Sequence, residues 1–119
     1  MKVCVTSQGA ELGSQVDPRF GRAAYFVVVD TDTMEFEAMM NEMGSGGAGI
    51  KAAQVVASLG VEAVITGSVG PNAFQTLNAA KIPAYTGAKG TVKEAVEDFK
   101  AGRLVSPEQA TAAAHTGMR

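Results

Sequence analysis

"VEAVITGSVGPNAFQTLNAAKIPAYTG", residues 61–87, reads as strand, helix, strand. Val61 to Thr66 is a short apolar run of the kind that forms a buried strand, and the glycine-rich turn after it puts Pro71 at a favourable first helical position. Phe74 and Leu77 fall on one helical face, the helix must stop before Pro83, and residues 83–87 resume an extended run. Strands that alternate with a helix need a crossover connection, so they are expected to lie parallel with the helix on a sheet face. This stretch alone points to an α/β domain.

The flanking sequence extends the pattern in both directions. Residues 2–7, "KVCVTS", and 24–30, "AYFVVVD", are strand-like, the second so continuously apolar that a central strand covered on both faces is expected. "DTDT" at 30–33 is turn chemistry, and the alternation after it predicts a hairpin strand over 34–40 with Met34, Phe36 and Ala38 inward and Glu35 and Glu37 outward. Ile50, Ala53, Val56 and Leu59, with Val55 beside them, predict a helix over 48–59 ended by Gly60 in a left-handed cap. Thr91 and Glu94 form the capping box of a last helix that buries Val92, Ala95, Val96 and Phe99 and stops at Gly102. The predicted order is βββαβαβα: one domain over residues 1–104, then a short tail, 105–119, as a frayed helix or a disordered segment.

Composition narrows the function classes. A chain of 119 residues, 46% hydrophobic and 18% charged, suits one soluble domain and is too short for a dinucleotide domain joined to a substrate domain. The formal net charge of -2, with lysine and arginine scattered, lacks the basic footprint of a nucleic-acid binder. No apolar run approaches the roughly 20 residues of a membrane span, and "MKVCVTSQG" turns polar too early for a signal peptide. A cytoplasmic protein is expected, in keeping with the single cysteine, Cys4.

"NEMGSGGAGIKAA", residues 41–53, contains G-x-G-x-x-G at Gly44, Gly46 and Gly49. A dinucleotide fingerprint needs these glycines directly after a buried parallel strand, and an acid about 20 residues on at the end of the next strand. Here an amphipathic hairpin strand precedes them, and Glu62 stands at the start of its strand. A phosphate loop fails too, because Ile50 separates Gly49 from Lys51 and Ala52 replaces the magnesium-binding hydroxyl. No nucleotide is expected; what survives is a general anion cradle of glycine N–H groups leading into a helix amino end, beside the plainer reading of a flexible loop.

Four stretches, taken together, carry a family resemblance: "VDPRFGRAAYFVVVD" at 16–30, "GGAG" at 46–49, "GSVGPNAFQTLNAAKIPAY" at 67–85 and "GTVKEAVEDFKAGRL" at 90–104. They resemble the dinitrogenase iron-molybdenum cofactor biosynthesis family, small proteins of the NifX and NifY type and the C-terminal domain of the NifB type. The resemblance implies a ribonuclease H-like fold with a five-stranded mixed sheet flanked by helices. It also implies non-enzymatic binding of an anionic iron-molybdenum or other metal-sulfur cluster, or its precursor, with cluster donor and acceptor proteins as partners. Nitrogenase-associated relatives often carry histidine directly before Phe-Gly, where this chain has Arg19, so imidazole ligation at that position is excluded.

The ligand inventory agrees with binding that needs no covalent ligands. One cysteine cannot build a conventional iron-sulfur site, and Cys4 with the tail residue His115 cannot build a zinc site. Cys4, between Val3 and Val5, reads as a small buried hydrophobe. Met34, Met39, Met40 and Met43 read chiefly as core packing, although Met39 and Met40 cannot both face inward on a regular strand. Guanidinium groups and backbone donors fit an anionic cargo better, which assigns the cofactor-binding set Arg19, Phe20, Gly21, Arg22, Gly46, Gly47, Gly49, Gly67, Gly70 and Asn72. If strands 2–7 and 61–66 are parallel neighbours, the loops after Ser7, Met43 and Gly67 converge on one sheet edge. The plainer alternative for Arg19 and Arg22 is that they are loop charges paired with Asp17 or other surface acids.

An enzyme is not expected. Two-metal phosphodiester chemistry in the resembled fold starts from an aspartate in the first strand, which "KVCVTS" lacks, and a buried cysteine with a tail histidine makes no nucleophilic triad. The alternative function is a regulatory or interaction module that binds a protein partner or a small phosphorylated ligand at the glycine-rich loops.

Overall fold

The computed structural model describes residues 1–41 and 48–106. Five strands, β1 (Lys2–Ser7), β2 (Tyr25–Asp30), β3 (Phe36–Met40), β4 (Ala63–Ile65) and β5 (Ala84–Tyr85), alternate in their second half with α1 (Ala48–Ala57), α2 (Pro71–Ala79) and α3 (Val92–Lys100). They form one mixed sheet in the order β3-β2-β1-β4-β5. β1 pairs antiparallel with β2 and parallel with β4, β2 pairs antiparallel with β3, and β4 pairs parallel with β5.

Side-chain alternation along the strands divides the core in two. Cys4, Phe26, Val64 and Ala84 point to the face covered by α1 and α2, where Ala52, Ala53, Val56, Ala73 and Leu77 meet them. Val3, Val5, Val27, Val29 and Ile65 point to the other face, where α3 supplies Val92, Ala95 and Val96. The Thr91–Glu94 box opens α3 with both reciprocal bonds: the Glu94 N–H donates to Thr91 Oγ1 (3.1 Å) and the Thr91 N–H to Glu94 Oε1 (2.9 Å). Phe99, half-buried, meets the ring of Tyr85 edge-to-face at 4.9 Å.

Expectations for the hairpin and for α1 are corrected. Met34 does not belong to the hairpin strand; it occupies the turn with φ 64°, a left-handed conformation unusual for a side chain of its size, and its N–H donates to Asp30 O at 2.7 Å. The tight turn is held from inside by Asp30 Oδ1, which accepts from the Asp32 N–H at 2.9 Å. Phe36 is 38% exposed rather than inward, because it lies on the edge strand while α3 packs over β1 and β4. In α1 the buried stripe is Ala52, Ala53 and Val56, so Ile50 and Val55 point outward. The helix ends at Ala57 rather than at 59, and Gly60 takes φ 75° three residues later.

Of the pair Met39 and Met40, Met39 packs against the core and Met40 is 67% exposed. Val105, at the head of the tail, forms an isolated bridge with Thr86, whose N–H donates to Val105 O at 2.9 Å. Among the described residues, no helix is long and apolar enough to cross a membrane.

Candidate functional site

The parallel pairing of β1, β4 and β5 puts their carboxyl ends on one rim of the sheet, and the antiparallel partners bring the entry to β2 and the exit from β3 to the same rim. Loops 8–24, 66–70 and 86–91, together with Asn41 at the end of β3, therefore meet there, as α/β sheets commonly arrange their ligand sites. Direct bonds tie them together. Val16 bridges Ser7, and the Asp17 N–H donates to Thr6 O at 2.9 Å. Arg19 and Ser68 form a parallel bridge: the Ser68 N–H donates to Pro18 O at 2.9 Å and the Phe20 N–H to Ser68 O at 3.2 Å.

A buried hydroxyl pair anchors this junction. The Thr6 hydroxyl donates to Asp17 O at 2.8 Å, and the Thr66 hydroxyl lies 2.8 Å from Thr6 Oγ1. A hydroxyl has one proton to give, so with Thr6 donating to Asp17, Thr66 donates to Thr6. Both threonines are fully buried, so both hydroxyls need the partners they find. Asn41, at the exit of β3, completes the rim: its amide donates to Ala23 O at 2.8 Å and Gly21 O at 3.3 Å.

The sequence-assigned residues divide into different physical roles. Arg19 and Arg22 are exposed on the rim. Arg19 Nε lies 3.6 Å from Asp17 Oδ1, so the pairing with Asp17 considered from sequence is present. Phe20 is only 2% exposed and packs 6.0 Å from the ring of Phe26, which makes it the anchor that roots the loop in the core rather than a surface contact. Gly21 is half-buried beneath Asn41. Gly67 serves a close approach, since a Cβ there would lie 2.6 Å from Pro18 Cα and 2.8 Å from Pro18 O, closer than such atoms pack. Gly70 is the N-cap of α2 and offers no side-chain cap, Pro71 follows, and Asn72 is exposed in the first turn. The amino end of α2 thus faces the rim with no side chain capping its donors. Gly46 and Gly47 lie outside the described residues, as do Met43 and His115; Gly49 lies in the first turn of α1.

Sequence reading missed Ser68, Asn41, Thr6 and Thr66 as parts of this junction, and Lys89, exposed on the loop after β5. That loop joins the rim through the Gly87 N–H to Gly67 O (3.0 Å) and the Ala88 N–H to Thr66 O (3.2 Å). None carries a local signal, since their partners are distant in the chain; only the threonine at the end of each parallel strand hinted at a matched pair.

Metal ligation by side chains finds no support in the described residues, among which no group of three or more His, Cys, Asp and Glu could hold an ion. Cys4 is fully buried, and burial pushes its thiol up to about 12. A wide groove of about 540 Å³, lined by Lys2, Val28, Asp30 and residues 34–37, opens at the opposite end of the sheet. Its carboxylates Asp30, Glu35 and Glu37 against one ammonium disfavour an anion, so the rim with Arg19 and Arg22 is the better candidate.

Known proteins of similar shape and sequence cover most of this chain. The apo orange protein from Desulfovibrio gigas superposes with a TM-score of 0.89 at 44% identity, covering 93% of this chain and 96% of that one. A candidate NifB protein from Thermotoga gives a TM-score of 0.76 at 40% identity, covering 92% of each chain. An uncharacterised protein of Methanocaldococcus jannaschii is 28% identical over 96 residues, 76% of this chain and 81% of that protein. The model of the family described as dinitrogenase iron-molybdenum cofactor matches residues 1–102, and the chain belongs to that family.

Proposed function

We propose that this chain is a non-enzymatic carrier that holds an anionic metal-sulfur cluster, or its precursor, at the carboxyl rim of its sheet. The guanidinium groups of Arg19 and Arg22 and the backbone N–H groups in the first turn of α2, with no side-chain cap, make the contacts. The observation that carries this reading is the Arg19–Ser68 bridge, which joins the arginine loop to the turn that opens α2. Two cationic side chains and an uncapped helix amino end then share one rim.

A sulfide-coated cluster presents negative charge rather than open metal positions, so hydrogen-bond and guanidinium donors suit it where thiolates are lacking. Membership in the iron-molybdenum cofactor family supports such a cargo, and the similarity to an orange protein described in its apo form supports a ligand-holding role. The mixed five-stranded sheet supports the ribonuclease H-like classification that the resemblance implies. Donor and acceptor proteins would load and unload the cargo.

The test is anaerobic incubation with tetrathiomolybdate or an iron-molybdenum cluster, followed by desalting, a visible spectrum and metal analysis. Retention of colour and metal by the wild type, with loss in Arg19→Ala and Arg22→Ala, is the expected result. A wild type that retains neither, yet binds a nucleotide or a phosphorylated small molecule, would favour the regulatory alternative.

A further inference from the structure

We infer that Asp17 is a built-in competitor of the cargo: a carboxylate fixed beside Arg19 that weakens the rim's hold on an anion and keeps the cargo exchangeable. The inference rests on the anion-carrier reading above and adds to it a device for release.

Asp17 is 3% exposed, yet its carboxylate faces the loop's own cation and donor. Its Oδ1 accepts the Arg19 N–H at 3.0 Å and lies 3.6 Å from Arg19 Nε. These are the two kinds of group, a backbone N–H and a guanidinium, that an anionic ligand would use. The backbone of Asp17 is clamped at both ends, its N–H to Thr6 O at 2.9 Å and its C=O to the Thr6 hydroxyl at 2.8 Å, and its side chain, only 4% exposed, is held against the Arg19 N–H. Arg19, by contrast, has a side chain 63% exposed and free to reorient.

Electrostatics set the direction of the effect. Within 16–22, Arg19 and Arg22 bring two positive charges and Asp17 one negative, so a bound dianion meets a net charge half that of the arginines alone. A loop built only for tight capture would lack a buried carboxylate at this point. A loop that must also hand its cargo on gains from one, because the carboxylate re-forms its pair with Arg19 as the anion leaves.

The experiment compares wild type and Asp17→Asn in tetrathiomolybdate titrations at low and at physiological ionic strength. Asparagine keeps an oxygen for the Arg19 N–H, so the turn is preserved while the charge is removed. The variant is expected to bind roughly five-fold more tightly at low ionic strength, the effect of one unit charge near a dianion at a wet surface, with a steeper salt dependence and slower release. A folded Asp17→Asn that binds equally or more weakly overturns the inference. Should that variant fail to fold, the Arg19 Nε–Hε resonance of the wild type decides: it must shift as tetrathiomolybdate binds, and cargo binding that leaves it unmoved overturns the inference. A wild type that takes up no tetrathiomolybdate or iron-molybdenum cluster defeats the carrier reading itself, a result distinct from either of these.

Discussion

Arg19 and Ser68 meet as a one-residue parallel bridge between a loop that follows β1 and a turn that follows β4, two segments joined by no local sequence signal. The bridge sets residues 18–20 beside residues 67–69, beyond the end of β4, and turns two separate loops into one surface. Its consequences can be measured.

Cargo retention should depend on both guanidinium groups and on salt. Arg19→Ala and Arg22→Ala are each expected to weaken tetrathiomolybdate binding by roughly three- to ten-fold, the modest size of an exposed charged contact, and high salt should weaken the wild type as well. Visible-spectrum titrations at two ionic strengths check this; affinities that ignore salt would contradict a charge-held cargo.

Gly67→Ala should cost both stability and binding. The new methyl group would sit 2.6 Å from Pro18 Cα and force the two loops apart, which is expected to lower unfolding free energy by about 1–3 kcal/mol. Thermal denaturation and cargo retention should fall together, whereas a variant as stable as wild type would show that the close approach relaxes easily.

Cys4 should be unreactive and should mark alkaline unfolding. Its thiol is raised from 9.0 to about 12 by burial, so above about pH 9 the unfolded chain ionises while the folded chain does not. Its contribution is fully present below pH 9 and is lost as pH rises toward 12, with a slope of up to about 1.4 kcal/mol per pH unit. Denaturant melts of wild type and Cys4→Ala across that range should differ in slope, and a thiol reagent should label the native wild type only as it unfolds.

Thr91→Ala removes one half of the capping box and is expected to cost about 1 kcal/mol of stability. The Thr91 side chain and N–H pair with Glu94 and its bridge partner is Gln15, neither one of the groups assigned to the cargo, so cargo affinity should stay as in wild type. Parallel urea melts and titrations would reveal any unexpected coupling.

The α/β class, the hairpin followed by two βα units and the capping of α3 were legible in the chain because each depends on near neighbours. Strand alternation, helical spacing and the T-x-x-E box act over a few residues, and their physics is local. Where local pattern misled, a neighbour distant in sequence decided the outcome. Met34 packs inward as the alternation suggests, yet from the turn rather than from the strand, and the uncovered edge of the sheet left Phe36 exposed.

The candidate site divides along the same line. The amino-acid sequence by itself determined the inventory: two arginines flanking Phe20-Gly21, glycine-rich turns, a lone cysteine and no set of thiolates, which together favour an anion over a ligated metal. Only the tertiary structure decided which of these residues share a surface, that Phe20 is a root and Gly67 a point of contact, and that Asp17 stands against Arg19. The reason is physical: residue chemistry is a property of each side chain, whereas the meeting of loops 18–20 and 67–69 follows from the parallel pairing of β1 with β4, a long-range contact that no short stretch encodes.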